Sequence, residues 1–293
     1  MDKRILEFDT QEATLEIVGG KGKSLSEMIR AGLPVPGGFH ITTNNYKDFV
    51  SLHAIDQYIL QEATKTDSKI EASEKIKKLF RANELPVPMK NEIREAYSAL
   101  GENPAVAVRS SANAEDLPEM SFAGQQDTYL NIIGEEDLYR AIRDCWASLW
   151  TPRAISYRDR MGIAHDEVAM AVVVQLMVTS DVSGILFTAN PTTGDRDEII
   201  ANASFGLGEA IVSGQVTPDT YIFDRNLYEM KEILLGNKEQ MIVSDGEDGV
   251  LVQEVPKIKR DLPALNEEQL TDLVDLALKS EHHFGEVPQD IEW

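Results

Sequence analysis

The longest apolar run in the sequence, Val168–Val178, constrains the fold more than any other feature. It reads VAMAVVVQLMV, contains Gln175, and is too short to cross a bilayer. Its length and its β-branched residues predict a buried strand. Hydrophobic residues make up 42% of the 293-residue chain, which is enough to bury a globular core around such a strand.

Segments with strand and helix patterns alternate on both sides of this run. A strand at Arg4–Phe8 precedes a glycine turn and a helix at Ser24–Ala31. Further helices are predicted from residue 44 to about residue 100 and over Glu135–Met161, with an interruption near Pro152. The other predicted strands are 105–108, 128–133, 184–188, 198–201, 221–223, 230–235 and 250–255.

The last part of the chain is mostly β until a final helix at Glu267–Phe284. Asn266 is its expected N-cap, and Gln269 stands at the position that completes a capping box. The whole pattern predicts an α+β fold with two lobes. We expect the first lobe over residues 1–176, with a helical insert at about 44–100, and a β-rich second lobe over residues 177–293.

The charge balance narrows the range of partners. Fifty acidic residues against 28 basic ones give a formal charge of −22, which argues against DNA or RNA. A small anion is different, because a few cations at one point, together with Mg²⁺, can hold a triphosphate. The single cysteine excludes an intramolecular disulfide, and no apolar stretch at the N-terminus has signal-peptide length. We therefore expect a cytoplasmic protein with no membrane partner.

Two motifs combine a cation with residues suited to binding phosphate. Gly19-Gly-Lys-Gly-Lys23 directly precedes the predicted helix, where glycines allow close backbone approach and helix N–H groups favour anions. A plain turn before a helix is the alternative interpretation. Arg109 ends a predicted strand and is followed by two serines, an arrangement suited to capturing phosphate oxygens. A structural ion pair with Glu115 or Asp116 explains the same pattern.

Two further motifs could complete a nucleotide site. The loop Ser121–Thr128 contains glycine and could close over phosphates, although an ordinary hairpin turn has the same composition. Gln175 and Met177 lie at the end of the long apolar run. An adenine needs an apolar slot with edge hydrogen bonds, and these residues suit it, although a simple core position suits them too.

Acidic residues in the second half of the chain are candidates for binding a metal or a ribose. Glu209 follows a glycine pair and could fill either role, or could cap a helix. Asp290 and Glu292 alternate, so on a strand both side chains point to one face. Two carboxylates on one face suit Mg²⁺, and a solvated acidic tail is the alternative.

Together these blocks resemble the ATP-binding domain of the phosphoenolpyruvate synthase and pyruvate, phosphate dikinase superfamily, which includes rifampicin phosphotransferase. The resemblance covers essentially the whole chain. It implies an ATP-grasp-like fold with two lobes, and an enzyme that passes the β-phosphoryl group of ATP to a histidine on a separate swivelling domain. The matching blocks are GGKG, AVRSSANAEDLPEMSFAGQQDTYLNI, SGILFTANPTTG, ASFGLGEAIVSGQVTPD and PQDIEW.

The resemblance implies a role for each residue of the phosphate site. Lys21 and Arg109 would contact the phosphates and serve as the catalytic residues. Gly124 and Gln125 would belong to the loop that covers the phosphates, and Thr128 would lie close by. Such transfers depend on positioning and charge neutralisation, which agrees with the interpretation of the residues themselves.

The resemblance also implies an adenine site, a metal site and partner domains. Gln175 and Met177 would sit at the adenine, and Glu292 would bind Mg²⁺ or the nucleotide, with Asp290 supporting it. The expected ligands are ATP and Mg²⁺. The expected partners are the phosphohistidine-carrying domain and a domain that binds the phosphoryl acceptor.

Two features of the family are expected beyond this sequence. A Gln-x-Arg pair follows the QDIEW strand in the family, and the carrier histidine lies in a Gly/Thr-rich motif. Neither precedes Trp293, so we expect a fragment that is inactive by itself, whose five histidines are structural or on the surface. Three hypotheses are open: the ATP-binding domain of a phosphoenolpyruvate synthase, that of a rifampicin phosphotransferase, or a stand-alone nucleotide-binding regulatory module.

Overall fold

The long apolar run is the central strand of an antiparallel sheet in a computed structural model of the chain. The structure describes residues 3–65, 68–113, 128–246 and 249–293. The chain divides into two units, Met1–Met177 and Val178–Trp293, and each has its own sheet. The α+β fold class is confirmed, because helices and antiparallel sheets occur in both units.

The first unit joins five strands with seven helices in its described part. Its sheet has the strand order β1-β2-β5-β3-β4, and every neighbouring pair is antiparallel. The elements are β1 (Ile5–Glu7), α1 (Leu15–Arg30), β2 (Gly38–Ile41), α2 (Thr43–Leu52), α3 (Asp56–Thr64), α4 (Lys69–Ala82), α5 (Val87–Ala99), β3 (Val106–Ala112), β4 (Thr128–Ile132), α6 (Glu135–Ser148), α7 (Pro152–Met161) and β5 (Met170–Leu176).

Both faces of β5 are buried, which explains its continuous run of valines. Val172 and Val174 pack into the main core on one face, where Phe49 and Trp146 from the helices lie with ring centroids 5.1 Å apart. Val173 points to the other face, where it packs in a cluster with Phe8 on the chain after β1 and Leu25 of α1. Helix α1 therefore covers one face of the sheet, and the helices that follow β2 cover the other.

The second unit is built around another five-stranded antiparallel sheet, with the strand order β12-β6-β7-β8-β9, and a separate hairpin of β10 and β11. Helix α10 packs on the sheet through Leu270 and Val274, against Tyr221 and Phe223 of β8. The elements are β6 (Val182–Phe187), β7 (Glu198–Phe205), α8 (Glu209–Val212), β8 (Asp219–Asp224), β9 (Glu229–Leu234), β10 (Gln240–Ser244), β11 (Val250–Glu254), α9 (Lys257–Arg260), α10 (Glu267–His283) and β12 (Asp290–Glu292).

The predicted capping box of α10 is confirmed. The Asn266 side chain accepts a hydrogen bond from Gln269 N, and the Gln269 side chain accepts one from Asn266 N. The helical segments over residues 43–99 and 135–161, with a break before Pro152, are confirmed as well.

Three local predictions were wrong. Helix α1 begins at Leu15 and is interrupted at Gly19, so the helix resumes within the glycine motif and not after it at Ser24. Strand β3 continues through Ser110 to Ala112, whereas the sequence predicted that it ends at Arg109. Strand β2 was missed because Gly38 belongs to a sequence that looks like a turn. A Cβ on Gly38 would lie 2.2 Å from Val174 O, so this glycine allows β2 to approach β5.

A buried ion pair ties the loops of the second unit together. The Lys238 ammonium donates to Asp219 Oδ1, and both side chains have no exposed surface. Asp219 also accepts hydrogen bonds from Gly236 N and Ala264 N, each at 2.8 Å. One carboxylate thus holds the chain after β9 and the chain before α10. None of the described helices is both long and apolar enough to cross a membrane.

We predict that Lys238→Met lowers the free energy of unfolding by about 3–5 kcal/mol, because it leaves the Asp219 carboxylate buried without a counter-charge. The matched control is Lys231→Met. Lys231 pairs with Glu198 at 2.6 Å but is 54% exposed, so its removal should cost less than about 1 kcal/mol. Urea denaturation of both variants measures the difference, and equal losses would contradict the structural role of the buried pair.

Candidate functional site

Helix α1 is broken at Gly19, where the glycine motif meets strand β3. Gly19 has φ 73° and ψ 179°, a backbone conformation that is essentially restricted to glycine. A Cβ on Gly19 would lie 2.3 Å from both the backbone oxygen and the Oγ of Ser111. The absence of a side chain therefore lets the helix backbone lie directly against the end of β3.

The Ser111 hydroxyl fills the gap that this break leaves in the helix. Ser111 Oγ accepts a hydrogen bond from Gly22 N at 3.1 Å and donates one to Val18 O at 2.8 Å. In an uninterrupted α-helix, Gly22 N would bond directly to Val18 O. Ser111 is fully buried, so its hydroxyl is a structural wedge and not one of the phosphate-capturing groups that the sequence suggested.

The break brings the two predicted cations to the same strand. Lys21 Nζ lies 3.5 Å from Ser110 O, next to Arg109 in β3. Arg109 is directly opposite Thr128 of β4 and Val173 of β5 in the sheet register. Directly opposed residues of antiparallel strands share a face, so Arg109 and Thr128 lie on the face that α1 covers. Arg109 thus lies opposite Thr128, and the Lys21 ammonium lies beside the next residue of β3, Ser110.

Gln175 belongs to the same face of the sheet, farther along the strands. It lies opposite Ala107, which is two residues from Arg109, or about 7 Å along β3. Gln175 is 7% exposed, and its Nε2 donates to Pro36 O at 3.3 Å. Met177 follows the end of β5, and its N–H donates to Ala105 O at 2.9 Å. The two predicted adenine residues thus lie next to each other where β5 ends.

His40 is a buried polar neighbour of the glycine motif. Its Nε2 lies 2.9 Å from Ser26 Oγ, and a Cβ on Gly22 would lie 3.1 Å from its Nδ1. Burial lowers the pKa of His40 to about 4, so the ring is neutral at physiological pH. This environment agrees with the expected structural role of His40.

The predicted acidic residues all belong to the second unit. Glu209 is the first residue of the short helix α8 and is partly buried. Asp290 and Glu292 lie on the edge strand β12, opposite Phe187 and Ile185 of β6, and both are exposed on one face. Partial burial and, second, the negative charge of Glu292 raise the pKa of the Asp290 carboxyl above its usual range. The two carboxylates are therefore electrostatically coupled.

Two predicted site residues, Gly124 and Gln125, lie outside the described residues, as does the predicted covering loop before Thr128. Within residues 3–65, 68–113, 128–246 and 249–293, no group of three or more His, Cys, Asp and Glu side chains is arranged to hold a metal ion.

A cavity of about 1230 Å³ opens elsewhere in the first unit, beside β1 and α5. The predicted site residues do not line it. Its lining includes three basic residues, Lys3, Arg4 and Lys47, and five acidic ones, and Arg4 is paired with Asp48 and Glu92. This lining is unsuited to a polyanion, so the part of β3 around Arg109 is the better candidate for a phosphate site.

Sequence reasoning named the serines after Arg109 only as phosphate-binding groups, and it predicted neither the contact of Ser111 with α1 nor the break at Gly19. The pair Gly19-Gly20 was a signal for an unusual backbone, yet nothing local indicated which strand would contact it. Ser111 is distant from Gly19 in the sequence, and their contact exists because α1 packs across β3.

Comparison with known proteins supports the resemblance that the motifs indicated. A profile of the family described as "Pyruvate phosphate dikinase, AMP/ATP-binding domain" matches residues 15–293. The "Probable phosphoenolpyruvate synthase" of Methanocaldococcus jannaschii is 43% identical over 95% of this chain and 24% of the relative. The "Phosphoenolpyruvate synthase" of Aeropyrum pernix is 40% identical over 100% of this chain and 40% of the relative. A "Probable phosphoenolpyruvate synthase" of Archaeoglobus fulgidus is 44% identical over 97% of this chain and 39% of the relative. The chain thus spans about two fifths or less of these relatives.

We predict that Gly19→Ala lowers the free energy of unfolding by about 2–5 kcal/mol, because it adds backbone strain and a clash with Ser111. Gly37→Ala is the matched control in the same unit. A Cβ on Gly37 would meet only Leu176 Cδ1 at an ordinary 3.6 Å, so we expect a change within about 0.5 kcal/mol. Thermal or urea unfolding of both variants measures the difference. A tolerated Gly19→Ala would rule out the close contact between α1 and β3.

We also predict that Glu292→Gln lowers the pKa of Asp290 towards its usual range, because it removes the neighbouring negative charge. The pKa should stay somewhat raised, since burial is the larger cause and is unchanged. Carboxyl ¹³C NMR titration measures it. Glu286→Gln is the control. The Glu286 carboxyl pairs with His282 at 2.6 Å and is not a cause of the Asp290 shift, so the pKa of Asp290 should stay unchanged in this variant. An unchanged Asp290 pKa in Glu292→Gln would mean that the two carboxylates are not coupled.

Proposed function

The chain belongs to the pyruvate phosphate dikinase AMP/ATP-binding domain family, and from this membership we propose that it is the ATP-binding domain of a phosphoenolpyruvate synthase-type phosphotransferase. It binds Mg·ATP and presents the β-phosphoryl group to a histidine on a separate domain. The observation that carries the proposal is that Lys21 Nζ lies 3.5 Å from the carbonyl of Ser110, the neighbour of Arg109 in β3, so two cationic residues belong to one part of the sheet in a chain of net charge −22.

In this proposal the part of β3 around Arg109, with Lys21 of α1 beside it, is the phosphate site. The planar guanidinium of Arg109 binds two phosphate oxygens at once, and the Lys21 ammonium acts as a point charge beside it. Gly124 and Gln125 contribute to a loop that covers the phosphates, and Thr128, directly opposite Arg109, adds a hydroxyl. Arg109 and Lys21 act as catalytic residues by orienting the phosphates and neutralising their charge.

Gln175 and Met177 form the adenine end of the same face. Their position supports this role, because they lie farther along the sheet from Arg109, as the length of a nucleotide requires. Met177 offers an apolar contact, and the Gln175 amide can hydrogen-bond to the edge of a base. We assign Glu209 a supporting role towards the ribose or the metal.

Asp290 and Glu292 fit a divalent cation. Their carboxylates are exposed on one face of an edge strand, and the negative charge of Glu292 makes ionisation of Asp290 less favourable, so a cation beside them relieves a repulsion that already exists. We propose that they bind Mg²⁺, with Glu292 as the main ligand. Mg²⁺, when bound, neutralises charge on phosphate oxygens.

We further propose that the two units are the two lobes of an ATP-grasp-like fold, with the boundary at residues 176–177. The partners in the full-length enzyme are the histidine-carrying domain and an acceptor-binding domain. The names of the relatives favour pyruvate chemistry over a rifampicin phosphotransferase.

We predict that Arg109→Ala weakens Mg·ATP binding about 10–100-fold, because it removes charge-assisted hydrogen bonds worth about 1.5–3 kcal/mol. Isothermal titration calorimetry of Mg·ATP into the chain measures the affinity, and circular dichroism checks that the variant is folded. The matched control is Arg94→Ala, because Arg94 is exposed on α5 and bonds only locally to Asn91 at 2.6 Å.

Normal affinity in a folded Arg109→Ala variant would remove this residue from the site. A folded, unaltered chain that gave no heat with Mg·ATP at millimolar concentration would contradict the proposed function of the chain as a whole.

A further inference from the structure

We propose that Ser111 is a positioning residue for nucleotide binding, because its hydroxyl holds α1 broken and thereby keeps Lys21 against β3. This inference rests on the proposed function, since it concerns how the phosphate site is assembled. It goes beyond that function because Ser111 itself is fully buried and acts through Lys21.

The hydroxyl occupies the place of a helical hydrogen bond. Gly22 N and Val18 O are the partners that a regular helix would join, and Ser111 Oγ stands between them, accepting at 3.1 Å and donating at 2.8 Å. Both backbone groups belong to buried residues. A serine hydroxyl has one donor and two acceptor sites, so it can satisfy both groups at the same time.

Without the hydroxyl, the helix has two alternatives. The Gly22 N–H and the Val18 carbonyl can stay buried without a partner, which is unfavourable for each group. They can also bond to each other, which restores a continuous helix and removes the break at Gly19. Because each residue of a regular helix turns the chain by about 100°, closing the break redirects the Cα–Cβ bond of Lys21.

One short segment of β3 therefore organises the cations of the phosphate site. Arg109 belongs to the segment, the Ser110 carbonyl lies 3.5 Å from Lys21 Nζ, and the Ser111 hydroxyl sets the helix geometry from which Lys21 extends. Ser111 and Arg109 are two residues apart on one strand, so they share a face. The relative position of the two cations is thereby built into the strand.

A double-mutant cycle on Mg·ATP affinity tests this proposal. The variants are Ser111→Ala, Lys21→Ala and the combination, measured by calorimetry on the full chain. We expect Ser111→Ala to weaken binding about tenfold in the unaltered chain and less than twofold in the Lys21→Ala background. A purely structural effect of Ser111 would weaken binding equally in both backgrounds, so the cycle separates the two explanations.

Ser26→Ala is the matched control. Ser26 is a buried serine of the same helix, but its hydroxyl bonds to His40 Nε2 at 2.9 Å and not to the helix backbone. We expect a change in affinity below twofold. Hydrogen exchange at the Gly22 amide gives a readout without nucleotide, because Ser111→Ala should change its protection.

Ser111→Cys is the second variant, for the case in which Ser111→Ala does not fold. A thiol is a weaker and longer hydrogen-bonding group, so the Mg·ATP affinity of Ser111→Cys should lie between those of the serine and alanine forms. This difference should appear only when Lys21 is present. A cysteine variant that binds as the unaltered chain does would count against the proposal.

The results distinguish a failure of the proposed phosphate site from a failure of the positioning role of Ser111. Unchanged affinity in Lys21→Ala would contradict the phosphate role of Lys21 and hence the proposed site. Weakened binding in Lys21→Ala, together with no effect or a purely additive effect of Ser111→Ala, would overturn the positioning role alone.

Discussion

The contact between the Ser111 hydroxyl and the broken turn of α1 supports the rest of the candidate phosphate site. Gly19 makes the contact possible because it has no side chain and adopts a conformation closed to other residues. Ser111 makes it favourable because it satisfies the two helix groups that the break exposes. In this geometry Lys21 Nζ lies 3.5 Å from Ser110 O, so this contact of the candidate site depends on packing between a helix and a strand.

The alternation of side chains along β3 and β5 explains why Arg109 lies on the face that α1 covers. The middle strands are apolar on the face that meets α2 to α7, with Val172 and Val174 in the main core. On the face under α1, apolar Val173 is followed by polar Gln175, and Arg109 lies opposite Val173. One strand pair thus contributes to the core with one face and to the candidate site with the other, as the period of two along a strand allows.

The second unit shows how environment separates a structural carboxylate from a candidate metal ligand. Asp219 is completely buried and bonded to Lys238 and to two backbone amides, so its charge is already compensated inside the protein. Asp290 lies on an exposed edge strand beside Glu292, with no such compensation and with a raised pKa. The second arrangement presents exposed negative charge that a cation can neutralise, which is the physical basis for proposing a metal there.

The sequence by itself determined the α+β class, the buried strand at β5, the helices over residues 43–99 and 135–161, and the capping box at Asn266, because these depend on local periodicity and local hydrogen bonds. It also indicated the candidate residues, including the alternation of Asp290 and Glu292. The tertiary structure decided that Gly19 breaks a helix, that Gly38 begins a strand, and that the Ser111 hydroxyl bonds to the backbone of α1. Those outcomes depend on close approach between segments distant in the chain, and local sequence carries no information about which segments will meet.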